Sequence, residues 1–516
     1  MKHKGFYIAL FVLTILLLAF PAVQQHAKLF EFKPLNGVTV AAQSPELTLR
    51  SFMNGSYQRQ EDQYLSENIG FRETFIRCFN QLSWSLFRHH QNATIFINDD
   101  NWIFNDFTIK HFYGQSVYDF ADDSEKALKK MDGDVKMLCQ LQDLLKEYGV
   151  QFFVCLAPGK DMVCAEHVPE VKGFDRPRGI RAIDVYPPLF DSLGINYIDF
   201  SKYYMAIKDT VSYPLYLKSS SHWSNLAAVY AADTLFRYME SLGGFKLRDF
   251  SCSEPYLDKT RIPDADLEDV LNLIWPIETG LNYYTDVSMD DDTTAAKPNW
   301  LVVGDSYFWE WQYNFPLEQI FGRFHYWYYN STVYNDPLHT NVDQVDLLRE
   351  LLTTDVVMLL YSPTNLYNLN RNFLTKALFK FYYEDDVVEG RLEKIKQDIK
   401  NTPEWYANIV QEAENKGQDP EEAINENAHF LLYDSPDLFF DEFQETKVAA
   451  IRNPRVDRVL SEIADPKRED YRQQILGNGD WLYGIIQKAQ ADNITIDEAI
   501  ERDIDWLIQN EEPSLR

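Results

Sequence analysis

The chain reads as an α/β protein: a parallel sheet flanked by helices, preceded by an apolar membrane-anchoring segment and followed by an α-helical appendage. Three observations predict this. Short apolar runs at residues 152–157, 195–200, 300–303 and 356–361 have the length of buried strands, and segments with helical apolar spacing lie between them. Residues 5–23 carry no charge and are about long enough to cross a bilayer. Beyond about residue 380 the strand-like runs stop, and the remainder holds 32 acidic against 15 basic residues.

Lys2 and Lys4 precede the apolar stretch, so the amino terminus is expected to stay in the cytoplasm and the rest to be exported. A signal anchor over residues 1–23 is the preferred reading, because Pro21-Ala22-Val23-Gln24-Gln25-His26-Ala27 offers no clean small-x-small cleavage site; a cleaved signal peptide is the rival. Residues 24–50 read as a linker and 51–380 as the α/β domain. Within it, Leu128, Met131, Val135, Leu138, Leu141 and Leu145 give residues 124–148 a recurrent apolar face. Pro158-Gly159 ends the 152–157 strand, and residues 225–243 form a second amphipathic helix. Strands alternating with helices imply a largely parallel sheet covered on both faces.

The acidic region 381–516 contains a duplication: residues 399–432 align without gaps onto 475–508. Trp405 falls on Trp481, Ile409 on Ile485, Ala413 on Ala489, and Glu422-Ala423-Ile424 on Glu498-Ala499-Ile500. Each copy reads as two helices with equivalent apolar cores, the second begun by Asp419-Pro420 in one and by Thr495 or Asp497 in the other. A docking role suits this appendage better than a catalytic one.

A net charge of −30 argues against nucleic acid as a partner, since binding phosphates needs a positive footprint. Five cysteines, odd in number and without CxxC spacing, give neither a disulfide framework nor a zinc site. No phosphate-binding glycine loop and no HExxH is present; no cofactor or metal is expected, and Asp290-Asp291-Asp292 reads as solvated loop charge.

The chemistry-bearing candidate is Ser306, in Gly304-Asp305-Ser306 after the apolar run Trp300-Leu301-Val302-Val303. That order places a hydroxyl at a strand's carboxyl end, where open α/β sheets build their sites. A serine needs a base, and His222 in a polar loop before a helix is the best placed of ten histidines, with His111 its close competitor. The Ser306 backbone N–H is the default oxyanion donor, and Asn365, after the 356–361 strand, is a second candidate. Lys160 reads as a solvated surface lysine.

Several segments together resemble the alginate O-acetyltransferase group of serine–histidine enzymes, relatives of the SGNH hydrolases. They are Gly55-x-Tyr57-Gln58, Glu61-Asp62-x-Tyr64-Leu65, Asn68-x-Gly70-Phe71-Arg72 and Trp102-Ile103-Phe104, then Ala157-Pro158-Gly159-Lys160, Lys218-x-x-x-His222-Trp223 and Gly304-Asp305-Ser306-Tyr307. The resemblance covers roughly residues 50–370. It implies an SGNH hydrolase-like fold and acetyl transfer through an acetyl-serine to hydroxyls of a cell-surface or secreted polysaccharide. It further implies a periplasmic location at the inner membrane and a membrane-bound acyltransferase partner that supplies the acetyl group. A carbohydrate acetyl esterase and an impaired glycan-binding scaffold are the alternatives.

The family's histidine motif usually reads Asp-x-His-Trp, and its aspartate orients the imidazole; here Ser220 occupies that place. Three readings stay open. Ser220 or a backbone carbonyl orients His222; a carboxylate from elsewhere, such as Asp209 or Asp305, substitutes; or the site is impaired.

Overall fold

The computed structural model describes residues 2–37, 42–115, 124–171, 179–277, 280–416, 418–434, 453–492 and 494–510. Part of the expected linker (38–41) and one position in each repeat (417 and 493) lie outside the described residues. The central sheet has six strands: β1 Gln151–Leu156, β2 Tyr197–Asp199, β3 Trp300–Gly304, β4 Phe324–Tyr328, β5 Thr332–Tyr334 and β6 Val356–Tyr361. Their order is β5-β4-β3-β6-β1-β2. All neighbours are parallel except β4 and β5, which pair antiparallel at one edge. The sheet is therefore largely parallel, as the sequence predicted, with one antiparallel pair at its edge; β4 and β5 are joined by a short turn, which only antiparallel strands permit.

β1, β3 and β6 lie side by side and, after Gln151 at the start of β1, are apolar because helices cover both of their faces. Phe152, Val154 and Leu156 of β1, with Val357, Leu359 and Tyr361 of β6, pack on one side. Helix Ser124–Glu147 supplies Met131, Val135, Leu138, Leu141 and Leu145 to that side. Phe153 and Cys155, with Val356, Met358 and Leu360, face the other side, against Val229, Leu235, Phe236 and Met239 of helix Asn225–Gly243. Gly304 closes β3 where β6 comes nearest: a Cβ there would lie 2.7 Å from that of Leu360.

At the amino terminus, α1 (Lys2–Ala27) holds a stretch, Lys4–Ala27, long and apolar enough to cross a membrane, whose most apolar part is unburied by the rest of the chain. Helix α2 (Arg72–Phe87) follows after two shorter helices.

The described part of the carboxyl-terminal region is helical. Ile399, Ile409, Ala413, Ala423, Ile424 and Ala428 form one buried cluster. Ile475, Ile485, Ala489, Ala499, Ile500 and Ile504 hold the equivalent places in another. The second helices are Pro420–Asp434 and Ile496–Asn510, and the Thr495 hydroxyl caps the latter by accepting from the Glu498 N–H at 3.1 Å. Ile424→Ala and Ile500→Ala each delete a fully buried side chain. Each is expected to cost about 2–4 kcal/mol, measurable as lost amide-exchange protection within its own repeat.

Candidate active site

The carboxyl ends of β3, β6 and β1 converge on one cleft of about 290 Å³. Ser306 and Tyr307 reach it from β3, Ser362 to Asn365 from β6, and Gly159 to Asp161 from β1; Ser221 and His222 close it from the loop before helix Asn225–Gly243. This is where the sequence reading placed Ser306.

His222 Nε2 lies 2.7 Å from Ser306 Oγ, so the structure brings together two residues 84 positions apart. Their loops are stapled reciprocally. The Trp223 indole N–H donates to the Tyr307 carbonyl at 3.2 Å, and the Tyr307 hydroxyl donates to the Ser221 carbonyl at 2.8 Å. Burial pushes the Tyr307 phenol well above its usual pKa, which keeps it a donor. The neighbouring Ser224 caps the helix, accepting from the Ala227 N–H, and its hydroxyl donates to Pro214.

The three serines before His222 each have a separate partner. Ser219 donates to the Asp264 carbonyl and accepts at its own carbonyl from the Leu267 and Glu268 N–H groups. Ser220, at the expected aspartate position, is fully buried, and its hydroxyl accepts from the His222 backbone N–H at 3.0 Å. It contacts the histidine's backbone, not the outer ring nitrogen. Ser221 donates from both its N–H and its hydroxyl to the Asp266 carboxylate, the hydroxyl bond being very short. Ser221 Oγ also lies 3.3 Å from His222 Nδ1, and Asp266 Oδ2 lies 3.6 Å from it.

The carboxylate on the Nδ1 side of His222 is therefore Asp266, which the sequence reading did not single out. Asp209 is exposed in the turn after helix Phe200–Ile207. Asp305 is committed elsewhere: Oδ2 accepts from the Ser362 N–H (2.7 Å), the Ser362 hydroxyl (2.6 Å) and Asn365 Nδ2 (2.9 Å), while Oδ1 accepts from the Tyr307 N–H. Asp305 thus ties the end of β3 to the end of β6. Asn365 lines the cleft, but its amide is occupied by Asp305, Ser362 and Tyr329 as acceptors. Among the described residues nothing accepts from the Ser306 backbone N–H. His111, the competing histidine, is buried with Nδ1 2.7 Å from Asp161 Oδ2.

Lys160 corrects the expectation of a surface lysine. It is buried, and its ammonium donates to the carbonyls of Ile103 (2.7 Å), Lys218 (3.0 Å) and Ser220 (2.6 Å) beneath the Trp102 and Phe104 rings. A lysine is tolerated there because three carbonyls and two ring faces replace its water. The Ser220 carbonyl belongs to the loop that carries His222, so Lys160 holds that loop in place.

This fold and site define an SGNH hydrolase-like domain with a serine and a histidine in hydrogen-bonding contact. Residues 99–323 match the family model described as SGNH hydrolase-like domain, acetyltransferase AlgX. The match contains His222, Asp266 and Ser306 and ends before β6. No curated protein matches the chain. Solved structures similar to it include the O-acetyltransferase domain of Pseudomonas putida AlgJ, at 13% identity, covering 53% of this chain and 92% of that one with a TM-score of 0.35. Pseudomonas aeruginosa AlgX is 15% identical over 53% of this chain and 64% of its own, with a TM-score of 0.34. Bacillus cereus PatB1 with a sulfonyl adduct is 12% identical over 53% of this chain and 97% of its own, at 0.33.

Burial lowers the Lys160 pKa from 10.5 to about 7. Between these values the unfolded chain binds the proton that the folded chain releases, so Lys160 makes stability rise with pH across that window. Lys160→Met is expected to remove this rise, read from urea unfolding near pH 7 and near pH 10, and to leave the Ile103 and Ser220 carbonyls short of a donor at about 1–3 kcal/mol each, whereas the Lys218 carbonyl keeps the Ile103 N–H.

Proposed function

We propose that the chain is an extracytoplasmic O-acetyltransferase that moves an acetyl group onto hydroxyls of a cell-surface or secreted polysaccharide through an acetyl-Ser306 intermediate. The observation that carries this reading is the 2.7 Å contact of His222 Nε2 with Ser306 Oγ at the carboxyl ends of the central strands, inside a region that matches an acetyltransferase family model. In the first half-reaction Ser306 Oγ attacks the donor's acetyl carbonyl while His222 Nε2 takes the hydroxyl proton. The tetrahedral intermediate collapses, and the departing group leaves with that proton. In the second half, a sugar hydroxyl attacks acetyl-Ser306, His222 takes its proton, and the proton returns to Ser306 Oγ as the ester forms on the sugar.

Asp266 has the position to orient His222 through Ser221. With the Ser221 hydroxyl donating to Asp266, its oxygen is left to accept Nδ1–H, which turns an unprotonated Nε2 toward Ser306. The same carboxylate stabilises the imidazolium that forms when His222 takes the proton. The Ser306 N–H serves as oxyanion donor, and Asn365 supports Asp305 in place of a direct oxyanion role. α1 holds the domain at the outer face of the inner membrane, a membrane-bound acyltransferase supplies acetyl groups, and residues 381–516 act as a docking appendage.

The full chain in detergent is expected to cleave a chromogenic acetyl ester and to show an acetylated Ser306 peptide by mass spectrometry. Ser306→Ala is expected to abolish both, and their absence from the native chain would sink the reading. Adduct discharged by added glycan rather than by water separates transferase from esterase. Asp266→Asn should slow acyl transfer by about 10²-fold or more. Ser220→Asp in the native background is expected to give no gain, because the Nδ1 side is already occupied.

A further inference from the structure

Helix α2 is built inside out for a helix on a soluble surface. Phe75, Phe79, Leu82 and Leu86 fall within one narrow stripe and are 53%, 57%, 60% and 68% exposed. The side turned to the protein is narrower and mixed, with Trp84 as its one buried apolar residue among polar ones. Gln81 is buried and its side-chain oxygen accepts from the N–H groups of Ile274 and Trp275; Asn80 donates to the Leu271 carbonyl. A helix with its amides inward and its phenylalanines outward has no aqueous rationale.

The helix is also tied to the anchor. Phe71, which precedes α2, packs its ring 4.9 Å from that of Phe20 near the end of α1. Gly70 is glycine by necessity of contact: a Cβ there would run into the Pro21 carbonyl and the backbone of Gln25. The apolar run of α1 ends at Val23, before Gln24-Gln25-His26, so α2 starts at the level where α1 leaves the apolar phase. Trp275, 65% exposed beside Gln81, adds a side chain of the kind found at bilayer boundaries. Charge follows the same division. On the exported side, residues 24–98 hold seven basic and six acidic residues, whereas residues 99–516 hold 40 and 73.

From this arrangement, and resting on the reading of α1 as an uncleaved anchor, we propose that α2 lies in the lipid–water interface with its Phe75–Phe79–Leu82–Leu86 stripe in the acyl boundary of an anionic bilayer. Its nearly charge-balanced segment meets the phosphates without the repulsion that the acidic remainder of the chain, held away from them, would bring. The domain then stands on the membrane at two points, which fixes its orientation instead of leaving it on a flexible tether. The cleft keeps one bearing toward a donor group carried in or across the bilayer.

The test uses the full chain reconstituted into phosphatidylcholine–phosphatidylglycerol vesicles, with an environment-sensitive fluorophore on the exposed Cys78, at the edge of the stripe. Blue-shifted emission, lost for the most part to nitroxide-labelled lipid and little affected by aqueous iodide, is the expected result. Phe79→Ser with Leu82→Ser and Leu86→Ser is expected to reverse both sensitivities while leaving ester cleavage intact. Iodide quenching of the native chain would overturn the proposal. So would blue-shifted emission insensitive to nitroxide lipid, because it would place the stripe against protein, such as a second copy. A companion chain with Thr14→Cys and Cys78→Ser reports on α1 separately. Failure of nitroxide lipid to quench that label would remove the anchor reading, whereas quenching there without quenching at Cys78 would remove only the interfacial helix.

Discussion

A buried ammonium group holds the site in one piece. Lys160 sits just beyond the end of β1 and gathers three carbonyls from two separate segments: Ile103 of the hairpin formed by Ile95–Ile97 and Ile103–Asn105, and Lys218 and Ser220 of the histidine loop. Its desolvation has to be offset by those three acceptors together, so the segments are fixed relative to the sheet or the lysine is unsatisfied. Asp305 does the corresponding work one strand over, binding the β6 end to the serine turn. A cation and a carboxylate, each fully engaged, thereby set the floor on which Ser306 and His222 meet.

The family pattern puts the orienting carboxylate two residues before the histidine, and here that position is a serine. The carboxylate enters instead from a loop 44 residues downstream. The serine run explains how this is accommodated: Ser219 fastens the 264–268 loop, Ser220 holds the His222 backbone, and Ser221 bridges Asp266 to the ring. Asp266 is partly exposed at 3.6 Å from Nδ1, so the relay through Ser221 is shorter at each step than the direct path. A hydroxyl relay transmits orientation through two hydrogen bonds rather than one, which makes it more tolerant of the gap and less stiff.

How much of this was legible in the sequence follows the physics of each signal. Strands β1 and β6 and the two main flanking helices were readable because burial on both faces leaves an apolar run or a clear period. β4 was not, since Phe324-His325-Tyr326-Trp327-Tyr328 mixes polar and aromatic residues, and the hydrogen-bond partner of His325, Glu350, comes from another element. Ser306 and His222 were legible from strand-end position and loop context. Asp266 was not: it is one of 79 acidic residues, and nothing local marks a carboxylate whose partner is brought to it by tertiary folding. Lys160 was misread for the same reason, because its three acceptors come from segments far along the chain. The duplication was legible since equivalent cores require equivalent apolar positions, and every member of one cluster has its counterpart in the other.

The central claim is that Asp266, acting through Ser221, sets the state of His222. Nitrogen-15 NMR of the histidine-labelled chain tests it most directly, because the two ring nitrogens report which carries the proton. The account predicts His222 at neutral pH with a proton on Nδ1 and an unprotonated Nε2, and loss of that preference in Asp266→Asn. A His222 ring protonated at Nε2, or one whose state is unchanged by Asp266→Asn, would contradict it.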